Sequence, residues 1–180
     1  MPRTQMDIGA EELAARLVAT IRAVEESFLA IQADARKRPI TDSKHPGGSP
    51  WTATDHLAHI VQSEWGFLAI GQRLVAGDPD PVRLSRRGNT PEERTAYVNS
   101  ENQAQVLSRR SQSLAELLEE LREVCELRVQ LLQGLRDEQL AQLVPGSQPA
   151  DRKWDDLLGS TRHAESHVEI VKKALAETGS

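Results

Sequence analysis

The sequence predicts an all-α protein, an up-down four-helix bundle with a short extra helix before the third long helix. Three observations predict this fold class. The 180 residues are rich in Ala, Leu, Glu, Gln and Arg, and aromatic residues make up only 3% of them. Apolar residues recur at steps of three and four, and stretches rich in Pro and Gly separate these runs. The length fits a single domain over residues 1–180, with a loose N-terminus at residues 1–8.

The first two long helices follow from periodicity and capping. The first is predicted from Ala10 to about Arg36, with charged residues between its apolar positions. Residues 38–50 form a loop rich in Pro, Gly and Ser. The second helix begins after an N-cap at Thr52, with Asp55 as a weak capping box, and continues to about residue 75. Its apolar residues cover nearly the whole circumference, which predicts a central position in the bundle.

Two further helices begin at clear capping signals. Thr90, Pro91 and Glu93 predict the start of the short extra helix, which runs to about Arg109. A capping box at Ser113 then begins the third long helix, which ends near residue 134. Both helices carry the local sequence that satisfies the free N–H groups of a first turn.

The C-terminal part is predicted to end in one long helix. Residues 137–143 fit one or two helical turns, and residues 144–150 form a loop with two prolines and a glycine. The fourth long helix is predicted from about Asp151 to Glu177, with Trp154 on its buried side. Both Trp154 and Trp51, which precedes the second helix, are interpreted as core anchors.

Three histidines on two of these helices are candidate ligands of a divalent metal ion. His163 and His167 are four residues apart, so on a helix they project from one face at neighbouring turns. His59 lies on the second helix, and helical bundles build metal sites from inward side chains on facing helices. Three neutral imidazoles leave a position open, as in catalytic sites. From spacing alone, three structural histidines in the core remain the alternative.

The motifs around these histidines resemble the DinB/YfiT-like superfamily of four-helix bundles. They are Trp51-Thr-Ala-Thr-Asp-His-Leu-Ala-His59-Ile, which looks like the ClbS/DfsB-type branch, and His163-Ala-Glu-Ser-His167. The resemblance covers almost the whole chain in length, helix order and loop placement. It implies that His59, His163 and His167 bind a divalent metal ion (Zn, Ni or Fe), because these positions match the metal-binding histidines of the family.

The resemblance also implies several possible activities. The first is a metal-dependent S-transferase acting on a low-molecular-weight thiol, and the second is a metal-dependent hydrolase. A non-enzymatic metal-binding or structural bundle linked to stress response is the third. Members of the superfamily are often homodimers, so a homodimer is expected here. A basic residue that holds the thiol near the metal would favour the transferase, and Arg residues between positions 83 and 94 are the candidates.

Other polar residues near these motifs have weaker assignments. His56 is either a fourth ligand, a proton shuttle, a hydrogen-bond partner of a ligand or simply a polar residue at a helix start. Glu64 is expected to contact another helix, and the remaining candidates are expected to be solvated: His45, Asn99, Asn102 and Glu165.

Charge and composition restrict the partners. The net charge is −5 and the pI is about 5.6, which argues against nucleic acid as a partner. No run of ~18 apolar residues predicts a membrane span. No signal-peptide pattern opens the chain, so a cytoplasmic location is expected. The single cysteine, Cys125, lies in an apolar helical stripe and is expected to be a buried free thiol.

Overall fold

Four long helices form the body of the structure, which is a computed structural model describing residues 9–40 and 50–178. They are α1 (Ala10–Leu29), α3 (Ala53–Val75), α5 (Leu114–Gln133) and α8 (Arg162–Thr178). The three short helices of the described residues are α2 (Ala33–Arg36), α6 (Asp137–Leu140) and α7 (Trp154–Leu158), with a 3₁₀ turn at Leu84–Arg86. The all-α bundle is confirmed, as is an extra helix, α4 (Pro91–Ser108), before the third long one. At 18 residues α4 is not short, because it is one residue longer than α8.

The first two long helices lie across the bundle from each other. Helix α1 packs against α5 and α8, and α3 packs against the same two helices. Helix α4 lies against α3. The core between them is largely aliphatic, and its fully buried side chains include Leu17, Leu57, Ile60, Leu117 and Leu121. Burial of this apolar surface is the main force that holds the helices together.

The predicted helix starts at residues 52, 90 and 113 are confirmed. In each, the N-cap hydroxyl accepts a hydrogen bond from the backbone N–H three residues later, and the carboxylate at that position accepts from the N-cap backbone. These capping boxes satisfy donors that would otherwise lack a partner in the first turn. The helix that begins at Thr52 carries the first candidate ligand, so this cap also sets where that ligand lies.

The first helix is shorter than predicted. It ends at Leu29 rather than Arg36, and Gln32 is extended before the single turn of α2. The side chain of Arg36 donates from Nε to the carbonyl of Ile31 at 2.7 Å, in place of a helical backbone partner. Apolar periodicity continued through Ile31, so the pattern alone did not show this break.

The last helix is also interrupted, so its prediction as one helix from Asp151 was wrong. Helix α7 ends at Leu158, and α8 begins at Arg162. The carbonyl of Leu158 accepts a hydrogen bond from the buried guanidinium of Arg128 rather than from a later backbone N–H. A buried polar contact therefore ends α7 and turns the chain into α8.

A buried ion pair lies at the same place. Arg128 on α5 also donates to the carboxylate of Glu64 on α3, and both side chains are buried. Glu64 thus contacts another helix, as expected from its position relative to His59. Paired charges of this kind are tolerated in a core because each satisfies the other.

Part of the predicted loop at 38–50 pairs with the start of the second helix. Strands β1 (Pro39–Ile40) and β2 (Trp51–Thr52) form a short antiparallel pair. The loose terminus expected at residues 1–8 and the solvated His45 lie outside the described residues. Within the described part, no helix is both long and apolar enough to cross a membrane.

Candidate metal centre

The three candidate histidines converge between α3 and α8. His59 Nε2 and His163 Nε2 are 3.0 Å apart, and one ligand atom from each of His59, His163 and His167 lies within 4.8 Å of the other two. His59 and His167 are buried, with 3% and 7% of their surface exposed, and His163 is half-buried. The structure therefore brings together all three residues that the sequence singled out.

The local sequence explains why these rings meet. The break after Leu158 places His163 as the second residue of α8, and His167 follows one turn later on the same face. Their ring centroids are 4.7 Å apart, and each lies less than 5 Å from that of His59. Two residues from one helix and one from a facing helix thus point at one small volume, as in metal sites of helical bundles.

The ionisation of the site favours ligation. Burial of the imidazole lowers the pKa of His163 below its ordinary value, because a charged ring loses hydration in this setting. The neutral imidazole is the form that binds a metal ion. Burial therefore favours, at His163, the protonation state that ligation requires.

The dimensions also fit a divalent ion. Three imidazole nitrogens bound at ~2.1 Å in a tetrahedral arrangement stand about 3.4 Å from one another. One pair here is at 3.0 Å, and all ligand atoms fall within 4.8 Å. Small ring rotations are enough to bring them to bonding distance, and the all-nitrogen set suits Zn, Ni and Fe.

His56 supports this group from inside the bundle. Its side chain is fully buried, and its Nδ1 lies 2.8 Å from Nδ1 of His167. With Nδ1 of His167 engaged in this way, Nε2 is the atom that remains for a metal. This contact fits one of the roles considered for His56 from sequence, that of a hydrogen-bond partner of a candidate ligand.

Trp51 is buried, as expected, and also forms one wall of the site. Its ring centroid is 5.3 Å from that of His56 and 5.0 Å from that of His59. The indole Nε1 donates to Gln103 Oε1 on α4 at 2.9 Å. This contact connects α4 to the wall of the histidine group, a role that the sequence did not indicate.

Two polar neighbours were missed or undervalued from sequence. Ser63 Oγ lies 2.9 Å from His163 Nε2, so a hydroxyl stands beside the ligand group. Ser63 is four residues after His59, so helical spacing already placed it on the same face. Asn102, expected to be solvated, is half-buried and lines the cleft next to the histidines.

Three further residues that the sequence singled out are Trp154, Glu165 and Cys125. Trp154 is buried in the core as expected, and Glu165 is exposed on the far side of its helix. Cys125 is a buried free thiol. Burial raises its pKa to about 11, with the nearby Glu64 carboxylate adding to the effect.

The histidine group opens on one side to a cleft of about 530 Å³, a size that suits a small molecule. His59 and His163 form part of its floor, and its walls come from α3, α4 and the 3₁₀ turn. The remaining lining residues are Gln62, Ser63, Gly66, Phe67, Ile70, Arg83, Arg86, Arg87, Tyr97, Val98, Glu101, Asn102 and Gln105. A metal at the histidines would therefore be reachable by a ligand from this cleft.

Comparison with known proteins gives one family match. A family model described as the DinB superfamily matches residues 11–170, a range that contains all three candidate ligands. No curated protein and no solved structure matches the chain significantly.

Proposed function

This chain belongs to the DinB superfamily, a metal-binding superfamily of helical bundles, and we propose that it is a metal-dependent S-transferase for a low-molecular-weight thiol. The metal ligands in this proposal are His59, His163 and His167. The observation that supports it most is the convergence of these three side chains, two of which, His59 and His163, form part of the floor of a cleft. A three-histidine site with one accessible side is the arrangement that leaves room for a substrate.

The chemistry requires an activated sulfur. When bound, a divalent metal supplies a Lewis acid that favours the thiolate form of a small thiol. The thiol loses its S–H proton to solvent, its sulfur forms a bond to an electrophilic carbon of the second substrate, and the leaving group departs with its electron pair. The protein's part is to keep His163 neutral through burial, to exclude bulk water on the Trp51 side and to orient both substrates in the cleft.

Residues beside the histidines suit this task. The hydroxyl of Ser63 offers a hydrogen bond next to His163, and Asn102 offers an amide from the opposite helix. Phe67 and Ile70 give the cleft an apolar wall. Such a mixture of apolar surface and a few polar groups is typical of small-molecule sites.

Among the described residues, the protein surface offers no thiol that could act as the nucleophile. Cys125 is buried, and its pKa of about 11 keeps it protonated at neutral pH. It lines a groove between α1 and α5, away from the histidine cleft. The reacting thiol in this proposal therefore comes from a substrate.

Metal content tests the first part of the proposal. Protein purified without a histidine tag and without added metal should carry about one divalent ion per chain by inductively coupled plasma mass spectrometry. The His163→Ala variant should carry much less, and the matched variant Glu165→Ala on the same helix should retain it. A metal-free wild type that takes up neither zinc, nickel nor iron would contradict the proposal.

Turnover tests the second part. The metal-loaded protein should accelerate the reaction of small thiols with an electrophile such as monochlorobimane, and His163→Ala should abolish the acceleration. Hydrolysis of ester or amide substrates without any thiol requirement would favour the alternative, a metal-dependent hydrolase. Full metal occupancy with neither activity would favour a non-enzymatic metal-binding bundle linked to stress response.

We also propose that the protein is a cytoplasmic homodimer. Val18 is exposed and lines a groove between α1 and α5. The groove combines apolar residues (Ile21, Cys125 and Val129) with charged or polar ones (Arg22, Glu25, Arg122, Glu126 and Gln130). A second copy could cover this groove. Light scattering should give twice the chain mass, and a mass near 19.9 kDa at micromolar concentration would contradict the dimer.

A further inference from the structure

The cleft above the histidines carries an excess of positive charge. Arg83, Arg86 and Arg87 all line it, and they lie in or directly beside the 3₁₀ turn at Leu84–Arg86. Glu101 on α4 is the one acidic side chain in the lining that the structure describes. The overall protein is acidic, with a net charge of −5, so this concentration of guanidinium groups runs against its average.

Two of the three arginines have no internal partner within the described part of the chain. Arg83 is paired with Asp78 at 2.6 Å, and it also donates to the carbonyl of Asp80 at 3.1 Å. The side chains of Arg86 and Arg87 form no ion pair or hydrogen bond with any described residue. Their guanidinium groups are therefore available to a ligand, whereas the guanidinium of Arg83 is bound by residues of its own loop.

A further guanidinium intensifies the positive field. Arg73 on α3 is partly buried behind the loop and donates to the carbonyl of Pro81 at 2.7 Å. Its pKa is lowered, first by burial and then by the positive charge of Arg83, and Arg87 acts in the same direction. The carboxylates of Asp78 and Asp80 oppose this effect and offset part of the charge of Arg73 and Arg83. The positive charge of Arg86 and Arg87 is the part that faces the cleft without a paired carboxylate among the described residues.

The loop that presents these arginines is held in an uncommon conformation. Arg83 has φ of 59°, in the left-handed region that non-glycine residues adopt rarely. Asp80 stabilises the turn by accepting from the backbone N–H of Leu84 at 3.1 Å. Backbone strain that is locked by local hydrogen bonds is typical of ligand-binding loops.

We propose that Arg86 and Arg87 bind an anionic group, a carboxylate or a phosphate, on the substrate that reaches the metal. Guanidinium forks match both groups through two parallel hydrogen bonds. The substrate would then span the cleft, with its anionic end at the 3₁₀ turn and its reactive end at the histidines. This inference rests on the proposed function, since it assigns a substrate class to the same site.

Two matched thiols test it. The probes are 3-mercaptopropionate and its neutral methyl ester, titrated into cobalt-loaded protein while the thiolate-to-cobalt absorption is followed. The wild type should bind the carboxylate about tenfold more tightly than the ester. In the double variant Arg86→Ala/Arg87→Ala this preference should fall to about one.

The control variant removes a nearby arginine that is not part of the cleft. Arg94 lies on α4 and does not line the cleft, and among the described residues its side chain donates only to the carbonyl of Asn89, at 3.4 Å. The Arg94→Ala variant should keep the preference for the carboxylate. Circular dichroism should show unchanged helix content in all variants. Equal binding of both probes by the wild type would overturn the inference while leaving metal–thiol binding intact.

A second measurement tests the anion-binding inference in the case where the proposed thiol-transfer function is wrong. If neither thiol produces the absorption band, the thiol-transfer proposal fails and the anion inference is decided on metal-free protein. Calorimetric titration with inorganic phosphate should then show binding that the double variant weakens about tenfold and that Arg94→Ala leaves unchanged. Absence of phosphate binding, or binding that the double variant retains, would overturn the inference.

Discussion

His56 and His167 form a hydrogen bond between their Nδ1 atoms, 2.8 Å apart, across the contact between α3 and α8. Only one of these two nitrogens can carry the hydrogen, so each ring constrains the tautomer of the other. Because Nδ1 of His167 is engaged by His56, Nε2 is the nitrogen of His167 that remains for a metal ion. Partners of this kind raise the affinity of a metal site although they do not touch the metal.

Replacing His56 should therefore weaken metal binding without removing a ligand. The His56→Phe variant keeps a buried ring but cannot hold Nδ1 of His167, so affinity should fall about 10- to 100-fold. Competition against a chromophoric chelator measures the change. Glu165→Gln, an exposed substitution between the two ligands of α8, is the matched control and should have no effect. Wild-type affinity in His56→Phe would contradict the assigned role.

The stability of the metal-free protein should fall in weakly acidic solution. The pKa of His163 is lowered by burial, so the unfolded chain binds more protons than the folded one just below the ordinary histidine value of 6.5. Stability from this group is present above about pH 6.5 and is lost as the pH falls through the lowered pKa. Urea unfolding between pH 8 and 5 measures this dependence. The slope should be smaller in His163→Gln, and an identical slope would contradict the assignment.

Breaking the buried ion pair should be costly. Glu64→Leu leaves the guanidinium of Arg128 buried without its carboxylate, and such changes cost about 3–5 kcal/mol. Glu25→Gln is the control, because Glu25 pairs with Arg122 at the surface and should change stability by only about 0–1 kcal/mol. Urea unfolding at neutral pH compares them. Equal losses in both variants would show that burial of the pair does not matter.

Two glycines of α3 should respond to alanine in opposite directions. A Cβ at Gly71 would lie 2.3 Å from Leu131 Cδ2 and 3.0 Å from Leu158 Cδ2, whereas a Cβ at Gly66 meets nothing within 4 Å. Gly71→Ala should therefore destabilise the protein by about 1–3 kcal/mol through overpacking. Gly66→Ala should stabilise it by about 0.5–1 kcal/mol through helix propensity. Thermal unfolding of both variants measures the difference, and a shift of the same sign in both would refute the packing described here.

The single thiol should be inert in the folded state. Cys125 is 6% exposed and its pKa is raised to about 11, so little thiolate is present at pH 8. Its reaction with Ellman's reagent should be at least about 100-fold slower in native protein than in protein unfolded by guanidinium. Rapid reaction of the native protein would show that the groove between α1 and α5 opens.

Much of the fold could be predicted because the relevant signals are local. Capping boxes at Thr52, Thr90 and Ser113 depend on residues three positions apart, and the structure confirms each. The two helix breaks could not be predicted in the same way. Each replaces a backbone hydrogen bond by an arginine side chain, and for Leu158 that arginine is Arg128, 30 residues away in sequence.

In the candidate site, too, some features could be predicted from local sequence and others depend on the tertiary structure. The spacing of His163 and His167 and the family resemblance were enough to single out three histidines that the structure brings together. The partner of His167 was one of several options for His56, because only the packing of α3 on α8 brings the two rings together. The cleft arginines were visible as a basic cluster, but periodicity cannot show that a loop folds over a helix. Only the tertiary structure places Arg86 and Arg87 beside the histidines.

The contacts of Arg128 also bear on which ions the three histidines could accept. Its guanidinium donates to Glu64 on α3 and to the Leu158 carbonyl just before α8, so it connects the two helices that carry the candidate ligands and opposes their sliding along each other. A slip of one turn would displace a ligand by about 5.4 Å. The spacing of the imidazoles is thus set by the packing of the core and not by a bound ion. Selection among divalent ions then depends on which coordination geometry this rigid frame tolerates, and less on the intrinsic preference of imidazole for each metal.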